Sequence, residues 1–391
     1  MKRSSEVTAL LDVCIRTRRE LHEIPEVGFE LYRTQAYVLE KLYACRPDYL
    51  RKIALTGVKA VFYAKDPKGT IAFRADMDAL TEDEANEVPW RSQNPGRMHG
   101  CGHDGHMTVL LLLAELLSRH RDELAYNVVL LFQPGEEGWA GAKRMIEEGA
   151  LANPTVDRIY GLHLWPTVPA GKIGVRWGPM MAQTSDFSIT VRGKSAHAST
   201  PQMGVDAIVV AAELITMLQS VITRNVDPHQ DALLTLGKID GGTSHNIIAD
   251  KVVMTGTLRT FGDGLYRDLA KRMGALMNGL QTATGATFEI AHQAQYPCVS
   301  NPRPMVEEFY TFLDSMDDAV LVEPVMAAED FAEYQRSVSG LFFFLGVKGG
   351  RGGQPLHSCS FDFDEEALLD GLEIYRRILS IGENPPGKDC V

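Results

Sequence analysis

The chain has 391 residues, 45% hydrophobic and 23% charged, with a formal net charge of −12. That length exceeds one ordinary core and predicts two domains of a globular protein. The acidic balance excludes nucleic acid as a partner, since binding it needs a basic face, and offers nothing to an anionic membrane surface. Six cysteines, at 14, 45, 101, 298, 359 and 390, form no C-x-x-C pair, which suits a reducing compartment better than a disulfide framework. The N-terminal apolar run is too short for a signal core, and 109–117 holds Glu115 and is too short for a membrane span. A cytoplasmic location is the expectation.

Apolar positions at helical spacing run over 5–24, and a second helix is expected over 27–45, before Pro47. His22, set among charges, reads as solvated. The runs 57–63 and 69–78 read as short strands, the second ending in Asp76 and Asp78. Ligands gather at such carboxyl ends in open α/β sheets, although an Asx-turn or helix cap accounts for either aspartate taken alone. Residues 99–106 then read His-Gly-Cys-Gly-His-Asp-Gly-His. These are zinc-type donors, and the glycines let ligands and backbone crowd around one point. The plain alternative is a metal-free turn before a buried helix at 107–117. Asn127–Gln133 is a continuous apolar run, as in a central parallel strand, and leads into Pro134-Gly135-Glu136-Glu137-Gly138. Adjacent carboxylates at a buried strand end are costly without a cation. One can hold a metal while the other takes a proton from water; an exposed acidic turn is the alternative. The run 158–165 repeats the buried-strand pattern, with His163 near its carboxyl end. Alone it would be a core histidine, but it is the third strand end to deliver a ligand-type residue.

Beyond residue 186 the texture changes. An alternating strand over 187–191 leads to Gly193-Lys194-Ser195-Ala196-His197, then a helix over 205–224. Strands at 232–239 and 251–261 are joined through Gly241 to Asn246, and a helix carries Leu265, Leu269, Met273, Leu276 and Leu280 before a last strand at 287–291. The order β-α-β-β-α-β is ferredoxin-like. An α+β domain is therefore placed at 183–294, its antiparallel sheet offering an edge or face to another subunit. After 295 the α/β texture resumes with a helix at 304–315, a helix opened by Ala328-Glu329-Asp330-Phe331, and a buried strand at 341–345. The glycine-rich stretch 346–353 lacks the Walker and G-x-G-x-x-G patterns and reads as a mobile loop delivering His357. A last helix is expected over 365–381, followed by a poorly ordered polar tail.

Eight strings stand in order along nearly the whole chain: F-R-A-D-M-D-A-L, H-G-C-G-H-D-G-H-M, F-Q-P-G-E-E-G, G-L-H-L-W-P, G-K-S-A-H-A-S, G-G-T-S-H-N-I-I-A-D, A-E-D-F and L-H-S. The series resembles the aminoacylase and hippurate hydrolase branch of the dinuclear metal amidohydrolases, and is similar to plant hydrolases of indole-acetic-acid–amino-acid conjugates. The resemblance implies an α/β catalytic domain with a mostly parallel central sheet, built from 1–182 and 295–391. It also implies an inserted ferredoxin-like α+β lid and dimerisation domain at 183–294. It implies two divalent ions held by Cys101, His103, Glu137, His163 and His357, with His103 at the bridging position. Glu136 matches the general base and acid, and Asp76 the aspartate that positions a ligand or steers the site's charge. His99, Asp104 and His106 become supporting residues. More distant peptidases carry a metal-binding histidine where this chain has Arg74, a departure shared by the cysteine-containing branch. The thiolate favours zinc, while family members also use manganese, cobalt or nickel. His197 and Asn246 match lid residues that reach an active site in relatives, the histidine coming from a partner subunit. Arg259 is a candidate for gripping a substrate carboxylate through a bidentate contact. All three are also ordinary lid residues.

The function that follows is metal-dependent hydrolysis of the amide of N-acyl amino acids, acetyl, benzoyl or similar, by a homodimer paired through the lid. Dipeptides and N-acetyldiaminopimelate are the nearest rival substrates. A catalytically silent metal- or ligand-binding protein is the reading from another class, and the intact Glu136–Glu137 pair counts against it.

Overall fold

The structure, a computed structural model, describes residues 1–382; the tail expected to be poorly ordered lies outside the described residues from 383 on. The chain divides into two compact units. The first comprises Met1–Met180, Ser300–Glu323 and the chain from Asp330 onward; the second comprises Met181–Val299 with Pro324–Glu329.

The first unit is built on an eight-stranded sheet. From edge to edge its strands are Tyr49–Ile53, Gly57–Phe62, Asn127–Gln133, Thr70–Asp76, Arg158–Pro169, Ser339–Lys348, Ile173–Val175 and Ala319–Leu321. The four central ones, Asn127–Gln133 through Ser339–Lys348, run parallel. Every residue of Thr70–Asp76 is buried, as is Asn127–Gln133 beyond its first residue. This is the covering on both faces that makes parallel strands read as unbroken apolar runs. The helix His103–Arg119 lies against Thr70–Asp76, and Leu11–His22, Tyr32–Cys45 and Leu368–Ile378 pack on that helix.

Three of the elements that differ from the sequence expectation are instructive. The helix expected from 27 begins at Tyr32, because Gly28 takes a positive φ of 64° beneath the Trp139 ring. Tyr49–Ile53, too polar to announce itself, exists through its antiparallel pairing with Gly57–Phe62. The helix expected over 304–315 is Arg303–Phe309 followed by one tight turn, Tyr310–Phe312.

The second unit has the expected β-α-β-β-α-β order. Its antiparallel sheet runs Thr287–Tyr296, Gln183–Arg192, Lys251–Thr260, Ala232–Gly241. The helices Ala207–Thr223 and Asp263–Thr284 share a core with it that includes Phe187, Leu214, Met254 and Met273. Asp206 caps the first of them, its carboxylate accepting from the Ile208 and Val209 N–H groups at 2.9 and 3.4 Å. The Pro324–Glu329 segment joins this unit where Ala182 N–H donates to the Val325 and Ala327 carbonyls. Ala232–Gly241 is an edge strand, with Leu233 and Ile239 exposed. Among the described residues no helix is long and apolar enough to cross a membrane.

Candidate metal centre

The polar side chains of the first unit gather where its parallel strands end. Asp76 closes Thr70–Asp76, Glu136 and Glu137 stand in the turn after Gln133, and His163 lies within Arg158–Pro169. Cys101 and His103 flank Gly102, whose φ of 84° and close approach to Leu164 exclude a side chain. His357 docks against the same loop, its N–H donating to the Gly100 carbonyl at 2.9 Å.

Donor atoms of Cys101, His103 and His163 lie within 4.8 Å of one another, and so do those of Cys101, Glu137 and His357. The two triads share Cys101. Its Sγ is 3.5 Å from His163 Nε2, while Glu137 Oε1 is 3.3 Å from His357 Nε2. The Nδ1 atoms of His103 and His163 donate to the carbonyls of Asp78 and Leu164, at 2.7 and 2.8 Å. Each ring therefore keeps one lone pair, on Nε2. One lone pair serves one cation; Cys101 stands in both of these triads, and His103 also neighbours Glu136 and Glu137. Asp76, His103 and His106 also lie close together, but His106 is already committed. Its Nδ1 donates to Asp76 Oδ1 at 2.6 Å and its Nε2 accepts from Leu164 N–H at 2.9 Å. Asp76 Oδ2 in turn accepts from Arg74 at 2.7 Å.

Charge sharpens this arrangement. Burial opposes ionisation of Asp76, yet the His103 and His106 imidazoles and the Arg74 guanidinium hold its carboxyl well below the usual range. Burial, then the charges of Glu137, Glu136 and Asp76, push the Cys101 thiol well up. Burial pulls His103 and His163 below the ordinary imidazole value. Buried His103 Nε2 finds no hydrogen-bond partner among the described residues, and Glu137 Oε1 faces His357 Nε2 at 3.3 Å. An imidazole nitrogen without a hydrogen-bond partner, clustered carboxylates and a thiol crowded by negative charge form a donor set short of cations, and two divalent ions fit it.

Asp78, in the sequence only a strand-end aspartate, takes a role that the sequence reading does not assign. The Asp78 carboxylate accepts from the N–H groups of Glu136 and Glu137 at 3.0 and 3.1 Å, and its carbonyl takes His103 Nδ1. Asp78 thus fixes both the acidic turn and a histidine ring. The available signal was the second aspartate of D-M-D, at a strand end.

Beneath lies a buried ionic layer. Asp104 Oδ2 meets His22 Nδ1 at 2.6 Å and Arg18 Nε at 3.0 Å, and His22 Nε2 reaches Glu84 at 3.2 Å. His22 is therefore not solvated as expected but 1% exposed. Burial opposes its charge, but those two carboxylates raise its pKa above the ordinary value. His99 is buried beside this layer, and desolvation lowers it to about 3. Arg351, in the glycine-rich loop that carries His357, pairs with Asp362 at 2.9 Å, Asp364 at 3.0 Å, and Glu365.

In the second unit, the turns holding His197 and Asn246 are joined by Ala198 N–H to the Asn246 carbonyl and Ile248 N–H to the Ala196 carbonyl. Both side chains are exposed; His197 Nδ1 meets Ser199 Oγ at 2.7 Å and Asn246 accepts from Ser244 at 2.8 Å. Arg259 stands apart on Lys251–Thr260, donating to the Met326 carbonyl at 2.5 Å.

Residues 72–381 match the model of peptidase family M20/M25/M40. An N-acetyldiaminopimelate deacetylase from Bacillus velezensis is 36% identical over 363 residues, covering 92% of this chain and 96% of that protein. A putative aminohydrolase from methicillin-resistant Staphylococcus aureus superposes with a TM-score of 0.90 at 32% identity, over 96% of this chain and 98% of its own. The YXEP protein of Bacillus subtilis, described as a dinuclear metal-binding peptidase of the M20 family, gives 0.83 at 31%, with the same coverage.

Proposed function

We propose, for a chain that belongs to peptidase family M20/M25/M40 and is a metal-dependent hydrolase of amide C–N bonds, that its substrate is an N-acyl amino acid. The observation that carries this reading is the pair of triads meeting at Cys101 with Glu136 beside them. Cys101, His103, Glu137, His163 and His357 hold two divalent ions, zinc or manganese, with cobalt or nickel able to substitute. When bound, such a pair polarises the amide carbonyl and acidifies the attacking water.

Glu136, 7% exposed and with its backbone fixed by Asp78, takes the proton from that water and returns it to the leaving nitrogen. Asp76 keeps His106 and His103 in register and supplies negative charge behind them. The units at 1–182 with 295–391 and at 183–294 are assigned to catalysis and to the lid. From the lid, Arg259 grips the substrate carboxylate, while His197 and Asn246 polarise its carbonyl. His197 serves the partner of a homodimer paired along the exposed edge Ala232–Gly241. This reading keeps the expected cytoplasmic location.

Among N-acyl amino acids, the N-acetyl class stands first, because a 36% identical relative is named N-acetyldiaminopimelate deacetylase; the hippurate-type reading ranks behind it. The test is a hydrolysis screen of acetyl, benzoyl and longer acyl amino acids, N-acetyldiaminopimelate and dipeptides, with enzyme loaded in turn with zinc, manganese, cobalt and nickel. Amine release from N-acetyl amino acids is expected. Turnover confined to dipeptides, or absent with every metal, overturns the reading.

A further inference from the structure

The second unit contains a cavity of about 80 Å³ between its sheet and the helix Asp263–Thr284. Its floor is apolar, with Phe187 and Met277 among the lining residues, and one end is polar. There Ser185 Oγ lies 2.9 Å from His292 Nδ1 and accepts from Tyr266 Oη at 3.2 Å. Ser185 is 1% exposed, while His292 opens to solvent.

Strand geometry explains how these groups meet. His292 stands opposite Phe187 in the ladder, so both face the helices, as does Ser185 two residues from Phe187. The register slips just after His292, and such a bulge re-aims the side chain next to it.

Gly274 also lines the cavity, in the middle of Asp263–Thr284. Glycine is disfavoured there relative to alanine, and close packing does not demand it, since an added Cβ would meet no atom within 4 Å. The missing side chain keeps the space open.

Hydrogen-bond polarity defines the occupant. Tyr266 donates to Ser185. If the serine hydroxyl donates in turn to His292 Nδ1, the neutral ring carries its proton on Nε2, an outward donor. If instead Nδ1–H donates, the serine hydroxyl is left to donate. Either chain ends on a donor, so the ligand supplies an acceptor. The volume is roughly half the ~150 Å³ that accommodates benzene in an apolar cavity, which leaves room for about four non-hydrogen atoms.

We propose that this cavity is a binding site for a short-chain aliphatic carboxylate, its carboxylate at Ser185 and His292 and its alkyl tail against Phe187 and Met277. The acid released from an acyl amino acid belongs to this class. The link to turnover rests on the function proposed above; the binding does not.

The test is equilibrium dialysis of metal-loaded protein with radiolabelled acetate, comparing wild type with Gly274→Leu, which fills the cavity, and Ser185→Ala, which removes the polar relay. Circular dichroism and metal content report folding in each variant, and Gly274→Ala replaces Gly274→Leu if the latter does not fold. Saturable binding that weakens about tenfold in the filled variant and measurably in Ser185→Ala supports the site. Equal binding by wild type and the filled variant places acetate at the metal centre and overturns the proposal, as does the absence of saturable binding. Neither readout requires turnover.

Discussion

The donors of the first unit and the candidate residues of the second are held in opposite ways. His103 is fixed by the Asp78 carbonyl, His163 by that of Leu164, and the Glu136–Glu137 turn by the Asp78 carboxylate. Behind them stands a buried ionic layer from Arg18 to Glu84. His197 and Asn246, by contrast, are exposed, and each is steadied by a serine of its own turn. The buried group is organised in advance for charge, as outer partners organise metal ligands. The exposed group has an organised backbone and solvent-facing side chains with local serine contacts.

Breaking the buried side of this contrast should have the larger consequences. Glu136→Gln should lower kcat by about 10²–10⁴-fold while metal analysis finds the ion content unchanged; wild-type turnover would remove Glu136 as the base. Cys101→Ala should reduce two ions per subunit toward one or none, because both triads lose a member, and two tightly held ions in that variant would refute its shared position. Asp78→Asn removes no donor from either triad, yet should cost about 10–100-fold in metal affinity or turnover, read by competition with a chelator.

The exposed side is tested by mixing. His197→Ala should lose turnover with its metal intact, and subunit exchange with Glu136→Gln should restore part of it through hybrid dimers; no recovery after verified exchange would place His197 outside the chemistry. The smallest effect concerns pH. Because the His22 pKa is raised in the folded protein, its stabilisation is complete below the ordinary value near 6.5 and is lost as pH rises through the native value. His22→Asn should therefore cost about 3 kcal/mol near pH 6 and less near pH 9, by chemical denaturation; a pH-independent cost would contradict the ionic pairing.

What was legible in the sequence follows the same division. Asn127–Gln133 could be read because a strand covered on both faces must be apolar throughout. The donors could be read because cysteine, histidine and glutamate keep their chemistry wherever the chain puts them. Asp78 could not be assigned, since its contacts run through backbone groups of residues 58 and 59 positions away. The place of Cys101 in two donor triads was equally hidden, because it depends on how loops far apart in the chain come together. His22 and Arg18 looked like a charged helix face, but a carboxylate layer from Asp104, Glu84 and Asp362 receives them in the interior.

The Arg351 anchorage also bears on how the chain can change length. Its three carboxylate partners fix the glycine-rich loop on one side, and the Gly100 carbonyl fixes His357 on the other. Between these two pins, residues 353 and 354 are exposed, and lengthening a loop adds little closure entropy. Insertions there should vary among descendants of this sequence without displacing the histidine, making this a natural point for grafting a tag or a foreign loop beside the catalytic unit.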